Sequence, residues 1–331
     1  MSDAPILEVR DLKKHYPIRG GLMGGTVGHV YAVDGVSFSL AKGETLSLVG
    51  ESGCGKTTVG KTILRLTEAT GGEVLIDGRR IDNLPVSQLR PLRKRMQVVF
   101  QDPFSSLNPR LRVRDIIAEP MLNFAMAGSA AEFDERIGAV LDKVQLPRDA
   151  MTRYPHEFSG GQRQRIGIAR ALATDPDLII CDEPVSALDV SVKAQVVNLM
   201  SDLQQELGLA LLFISHDMAI VEHMTHRVAV MYLGKIVEIA DRRGRFAEPK
   251  HPYTQALLSA VPVPDPDAKR TRIILKGDVP SPIRPPPGCR FHTRCPYVFD
   301  RCRVEEPVLK PVVPGQLAAC HLHDKPAAAA A

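Results

Sequence analysis

The chain has 331 residues, of which 44% are hydrophobic and 24% charged, with a formal net charge of +4. That is room for a domain of ordinary size plus a smaller one, in the composition of a globular protein that can bury a core. So small a net charge gives no bulk electrostatic case for nucleic acid, and no run approaches the roughly 20 apolar residues of a membrane-spanning helix.

The first residues, Met1-Ser2-Asp3-Ala4-Pro5, have no basic and then apolar leader. The expectation is a cytosolic chain, or one held at a membrane by partners. Two basic clusters, Arg90, Arg93, Lys94, Arg95 and Arg242, Arg243, Arg245, are expected to be solvated faces.

In chain order, residues 6–9, 36–40 and 73–76 alternate as strands do. Asp34-Gly35, Lys42-Gly43 and Asp77-Gly78 are turn signals between them. They predict an antiparallel β layer near the N-terminus. Short apolar runs at 46–49, 178–181, 211–214 and 228–231 predict buried parallel strands. Between Val113 and Arg170 the period is helical, with Ile116, Ile117, Met121, Ile137, Val140, Leu141 and Val144 as the core face.

The composition shifts near residue 248, and residues 280–287 hold five prolines in eight positions. Such a stretch is stiff and cannot continue a helix. The expected division is therefore 1–248 and 249–331. The final alanines, 327–331, are expected to fray.

Gly50-Glu51-Ser52-Gly53-Cys54-Gly55-Lys56-Thr57 fills every fixed position of the phosphate-loop pattern G-x-x-x-x-G-K-[ST]. Following the strand that ends at Val49, it puts backbone N–H groups at a helix N-terminus, where the dipole favours phosphate. Gly50, Gly53 and Gly55 allow close approach. Lys56 is the candidate for the β- and γ-phosphates, and Thr57 for Mg²⁺. Ser52, Cys54 and Thr58 complete the loop and the first turn.

Asp182 closes an apolar strand, which brings a carboxylate to the sheet edge where ligands of α/β sheets collect. It is a candidate Mg²⁺ partner, and Glu183 is the candidate general base. Cys54 and Cys181 fall inside these motifs and are expected to be packing residues.

With Ser159-Gly160-Gly161-Gln162 between the phosphate loop and Leu178-Ile179-Ile180-Cys181-Asp182-Glu183, the chain resembles the ATP-binding subunit of an ABC transporter over residues 6 to about 250. The implied fold is an ABC-type P-loop ATPase of the α/β class: an antiparallel β subdomain, a RecA-like core and a helical subdomain, followed by a proline- and cysteine-rich extension.

The resemblance implies a role for each matching residue. Ser159, Gly160, Gly161 and Gln162 match the signature loop that caps the γ-phosphate of an opposite subunit, with Phe158 where the family has leucine. Gln101 matches the glutamine that senses Mg²⁺ and the attacking water. Asp189 matches the D-loop aspartate that crosses the dimer interface. His216 matches the switch histidine, and Tyr16 the ring that stacks on adenine. No catalytic element is degenerate.

The tail resembles one branch of that family. Residues 251–258, Pro285-Pro286-Pro287-Gly288-Cys289-Arg290-Phe291 and Cys295-Pro296 are similar to the C-terminal extension of dipeptide and oligopeptide importer ATPases, of the second-subunit type. The resemblance implies two transmembrane permease subunits, a companion ATPase that makes a heterodimer, and an extracytoplasmic peptide-binding protein. It places the chain peripherally on the cytoplasmic face of the inner membrane, held there only by partners. Nickel and glutathione importers share this architecture, and an exporter ATPase is a further alternative. A soluble ABC-type protein of DNA repair or translation is the rival from another class, opposed by the single cassette and the lack of a heptad run.

Cys289, Cys295, Cys302 and Cys320 lack the paired C-x₂-C spacing of common zinc sites. Four thiolates can hold zinc or a [4Fe–4S] cluster. The resemblance favours the cluster, while His292, His321 and His323 keep zinc open.

Overall fold

The structure, a computed structural model, describes residues 4–20, 25–126, 129–242, 248–261 and 272–324. Residues 1–3, Arg243, Arg245 and the alanine run 327–331 lie outside the described residues. Backbone contacts divide the chain into two compact units. One is Met1–Glu8, Ser39–Leu46 and Val74–Ser215; the other is Val9–Phe38, Ser47–Glu73 and His216–Ala331.

In the first unit the strands Met96–Val99, Leu178–Asp182 and Ala210–Ser215 run parallel, with Met96 opposite Leu178 and Leu178 opposite Ala210. The last two are buried along their whole length. A parallel strand covered on both faces must be apolar throughout, which is why both read as unbroken hydrophobic runs.

The longer helices beside these strands include Val113–Asn123, Ala130–Lys143, Gly160–Leu172 and, last, Val190–Leu207. The Ser129 hydroxyl caps the second by accepting the Glu132 N–H at 3.2 Å. Gly208, at φ +63°, ends the fourth in a left-handed cap. Every residue of the predicted helical face, from Ile116 to Val144, is buried. Of the basic run, Arg95 reaches Asp77 and Asp177, and Arg90 donates to the Asn123 carbonyl at 2.9 Å.

The strands Gly25–Leu40, Leu7–Gly20 and Gly71–Ile76, of which residues 25–38, 9–20 and 71–73 belong to the second unit, lie side by side as the expected N-terminal β layer. The strand Arg227–Tyr232, whose core was expected to be parallel, pairs antiparallel with Lys235–Asp241. The cause is a two-residue turn in which Leu233 (φ +44°) and Gly234 (φ +82°) are both left-handed, the geometry that matches strand twist in a tight hairpin.

The extension adds to the same edge. Lys310–Val313 pairs with Gln316–Ala318, which pairs with Lys235–Asp241 by setting Ala318 opposite Glu238. The proline-rich stretch 280–287 has neither helix nor strand.

Glu238 is wholly buried, and its carboxylate accepts from the Lys250 N–H (2.8 Å), the His251 N–H (2.9 Å) and Gln316 Nε2 (2.7 Å). Those three bonds offset the cost of burying the charge, and they fix the entry to the helix Pro252–Ser259. Beside it the rings of Tyr232, Tyr253 and Phe291, each at most 1% exposed, meet with centroids 4.7, 5.3 and 5.4 Å apart. Aromatic pairs at such separations contribute beyond simple area burial.

Candidate functional site

The fully buried strand Thr45–Val49 leads into the glycine-rich turn, and the helix Lys56–Ile63 starts at its far end. Gly50 (φ +155°) and Gly55 (φ +107°) press against backbone. A Cβ would stand 2.1 Å from the Met231 carbonyl oxygen at the first and 2.0 Å from that of Ala32 at the second. Only glycine fits there. Ser52 and Gly53 are exposed, and Thr57 and Thr58 are half-buried in the first helical turn.

Lys56 is 4% exposed, and its ammonium folds back over the turn to donate to the carbonyls of Gly50 (2.8 Å) and Glu51 (3.1 Å). Cys54 is buried, and burial raises its thiol above the ordinary range. A loop of this shape can hold a polyanion by its amides, with the lysine as a movable counter-charge.

Asp182, 8% exposed, is the last residue of its strand. The chain then breaks direction. Glu183 is left-handed at φ +47°, its N–H donates to the Ile214 carbonyl at 3.0 Å, and its carboxylate accepts from Gln101 Nε2 at 3.3 Å. Such a conformation is costly for a residue with a Cβ, and strain of this kind concentrates at functional turns. Gln101 is itself exposed, just before Asp102, whose carboxylate caps the short helix Pro103–Ser106 by accepting the Phe104 N–H at 2.8 Å.

Ser159 caps the helix Gly160–Leu172. Its hydroxyl accepts the Gln162 N–H at 3.4 Å, and Gln162 Oε1 accepts the Ser159 N–H at 3.0 Å. This reciprocal box aims the first N–H groups of the helix outward. A Cβ on Gly161 would meet Val192 Cγ1 at 2.2 Å. Gln145, Ser159, Gln162, Arg165 and Gln195 line a cleft of about 460 Å³ there. Phe158, which stands where the resemblance has leucine, is buried under the Arg153 guanidinium, 4.3 Å from its ring centroid.

Asp189 is exposed at the start of the helix Val190–Leu207, beside Val190, which is 84% exposed. His216 is exposed ahead of the helix Met218–Met224, which Asp217 caps. Tyr16 is 37% exposed, with the Lys14 ammonium 4.8 Å from its ring centroid.

All six cysteines are free thiols. Cys54 and Cys181 are buried as packing residues. In the extension the Cys289 N–H donates to the Cys302 carbonyl at 2.9 Å. Burial pushes the Cys289 thiol up to about 11 and that of Cys320 to about 12, and in Cys320 the other three cysteines add to the effect.

Among the described residues no group of three or more His, Cys, Asp or Glu is placed to hold a metal ion. Of the histidines that left zinc open, His321 has both ring nitrogens in hydrogen bonds, and His292 and His323 have one each. His292 Nδ1 pairs with the Cys289 carbonyl (2.8 Å), His321 with Asp324 (3.0 Å) and the Glu305 carbonyl (2.9 Å), and His323 with the Lys250 carbonyl (2.8 Å).

Several residues that sequence reasoning did not single out hold the phosphate loop. The Glu51 N–H donates to the Tyr253 hydroxyl at 2.8 Å, and its carboxylate receives Arg294 Nη1 at 2.8 Å and Nη2 at 3.2 Å. Arg290 instead holds the hairpin turn, donating to the Leu233 carbonyl at 2.6 Å and pairing with Asp34. The family-like strings that contain Tyr253 and Arg290 were a signal for position, not for these contacts.

This geometry is matched by known proteins. A model of the ABC transporter family matches residues 33–186, and one described as the oligopeptide/dipeptide transporter C-terminal region matches 237–302. The chain is 56% identical to the probable peptide ABC transporter ATP-binding protein y4tS of Sinorhizobium fredii, over 100% of this chain and 93% of that protein. It is 56% identical to the oligopeptide transport ATP-binding protein AppF of Bacillus subtilis, over 96% of this chain and 97% of the relative. Among solved structures, the ATP-binding cassette MJ0796, a dimer bound to ADP and Pi, aligns with a TM-score of 0.64 at 28% identity, covering 72% of this chain and 99% of that one.

The fold and loops define an ATP-hydrolysing cassette. The chain belongs to the ABC transporter family, as an ATP-binding subunit that carries the oligopeptide/dipeptide transporter C-terminal region.

Proposed function

We propose that the chain powers the import of dipeptides or oligopeptides, docked peripherally on the cytoplasmic face of the inner membrane. Its partners are two permease subunits, a companion ATPase in a heterodimer and an extracytoplasmic peptide-binding protein. One observation carries this reading: a complete set of ABC motifs and the C-terminal region of oligopeptide/dipeptide transporters occur in a single chain.

The division of labour follows the sequence, with 1–248 as the nucleotide-binding domain and 249–331 as the extension. The amides of residues 50–58 and the Lys56 ammonium hold the phosphates, and Tyr16 stacks on the base. Thr57, Gln101 and Asp182 serve Mg²⁺. Glu183 takes the proton of the attacking water, with Gln101 and His216 orienting it. Ser159, Gly160, Gly161, Gln162 and Asp189 act toward the opposite subunit, which makes hydrolysis conditional on dimer closure.

The test is ATPase activity of the reconstituted transporter. Turnover should rise when a peptide is added with the external binding protein. Stimulation by nickel or glutathione instead would reassign the substrate, and stimulation by DNA in the absence of partners would overturn the transport reading.

For the four cysteines we propose a [4Fe–4S] cluster held by Cys289, Cys295, Cys302 and Cys320. The support is an all-cysteine donor set, free of disulfides, in which a backbone hydrogen bond joins Cys289 to Cys302. Each thiolate of such a cluster sits on its own iron, so the four sulfurs need not converge on one ion. The cluster would staple a proline-rich segment with little core of its own. Anaerobic purification with iron, sulfide and zinc assays tests it. Four irons and four sulfides per chain, lost on Cys289→Ser, are expected; one zinc or no metal would overturn it.

A further inference from the structure

Glu51 occupies one of the variable positions of the phosphate loop, and nothing in the motif requires a carboxylate there. Its charge is unfavourable beside a triphosphate, since like charges close together disfavour binding. Yet each of its polar groups has a partner. The N–H goes to the Tyr253 hydroxyl, the carbonyl receives Lys56 Nζ at 3.1 Å, and the carboxylate takes both Nη atoms of Arg294. The Arg294 side chain is only 9% exposed and that of Glu51 30%. A bidentate guanidinium–carboxylate pair shielded from water is far more directional than a surface ion pair.

The arginine is itself held firmly. It lies in a tight turn between Cys289 and Cys295, where the His292 N–H donates to the Cys289 carbonyl (3.0 Å) and the Arg294 N–H to the Phe291 carbonyl (2.9 Å). Phe291, 1% exposed, locks that turn into the Tyr232–Tyr253 cluster. The two groups that grip Glu51 from the C-terminal half therefore rest on one packed core.

We propose that Arg294 and Tyr253 are positioning residues for the phosphate loop. They fix Glu51 and neutralise its charge, and so set the affinity of the loop for a nucleoside triphosphate. This rests on the nucleotide reading above. Arg294 acts through Glu51 and touches no nucleotide.

The experiment is calorimetric titration of the full-length chain with the Mg²⁺ complex of AMP-PNP, alongside thermal unfolding. Arg294→Met leaves the Glu51 carboxylate uncompensated, and its Kd should rise about tenfold. Arg294→Lys, which keeps the charge without the bidentate geometry, should fall between it and wild type. In the double variant Glu51→Gln/Arg294→Met the charge is gone from both sides, and most of the affinity should return. A purely structural pair predicts something else: a lower melting temperature with unchanged Kd, and no recovery in the double variant.

Wild-type affinity in Arg294→Met would overturn the proposal. If that variant is too unstable to titrate, Tyr253→Phe, which removes only the hydroxyl that receives the Glu51 N–H, carries the test. An unchanged Kd there overturns it equally. Lys56→Ala distinguishes the two levels. A wild-type chain that binds and a Lys56→Ala chain that does not leave the nucleotide reading standing whatever Arg294 does. A wild-type chain that fails to bind overturns both.

Discussion

Gln101 Nε2 donates to the Glu183 carboxylate across 3.3 Å, joining residues 82 positions apart. The bond holds the side chain of a residue whose backbone is already in the left-handed region, at φ +47°. A general base must be within reach of its proton before its basicity matters, and both constraints act on reach. Glu183→Gln keeps the shape and removes the proposed base. ATP binding should be retained while turnover falls about 10²- to 10⁴-fold, the range that general bases contribute. The check is nucleotide titration beside steady-state phosphate release in the assembled transporter. Ordinary turnover in the variant would take Glu183 out of the role.

Two glycines of the phosphate loop should respond differently to a methyl group. At Gly55 the added carbon would lie 2.0 Å from the Ala32 carbonyl oxygen, which is backbone and cannot step aside. At Gly53, with φ +80°, a Cβ would find nothing within 4 Å. Gly53→Ala therefore bears only the left-handed backbone cost, about 1–2 kcal/mol. Gly55→Ala adds a clash to that cost and should unseat the loop. Comparative ATP titration is the readout: binding should survive at reduced affinity in Gly53→Ala and be lost in Gly55→Ala.

The glycine-rich turn after Val49 and the strand that ends at Asp182 were legible because each depends on neighbours a few residues away, where spacing in sequence is spacing in space. The helical face from Ile116 to Val144 was legible for the same reason, one turn at a time. What was lost depends on distant partners or on turns without a sequence signature. Leu233 in a left-handed turn gives none of the Asn-Gly signal of a tight hairpin, so the run 228–231 shows nothing of its antiparallel neighbour Lys235–Asp241. The strands 310–313 and 316–318 are four and three residues long, and one of them holds Pro311. Neither shows a period. The Glu51–Arg294 pair spans 243 positions, and only the packed turn between Cys289 and Cys295 brings the two together.

Phe291 connects that turn to the rest of the extension. Its ring is 1% exposed and meets Tyr232, Tyr253 and His251 at centroid distances of 5.3, 5.4 and 5.6 Å. Phe291→Ala should destabilise the fold by about 3–5 kcal/mol, as large aromatic truncations in cores do. Phe291→Leu should cost clearly less, because most of the volume remains. Denaturant titration gives both numbers. A loss below about 1 kcal/mol for the alanine variant would mean that the cluster does not hold the turn.

His251 gives the extension a dependence on acid. The side chain is 1% exposed, and its Nδ1 accepts the Tyr253 N–H at 3.1 Å, so the folded state holds the neutral ring. Burial, reinforced by the charge of nearby His323, lowers its pKa to about 3 from the ordinary 6.5. The folded value lies below the unfolded one, so below pH 6.5 the unfolded chain binds a proton that the folded chain refuses. Stability from this group is complete above pH 6.5 and declines as the pH falls toward 3, by at most about 1.4 kcal/mol per pH unit. His251→Asn keeps an oxygen able to cap the Tyr253 N–H and removes the titration. Its unfolding free energy should fall less steeply between pH 6.5 and 4.5 than that of wild type. Parallel curves across that window would show that His251 is not the group that titrates.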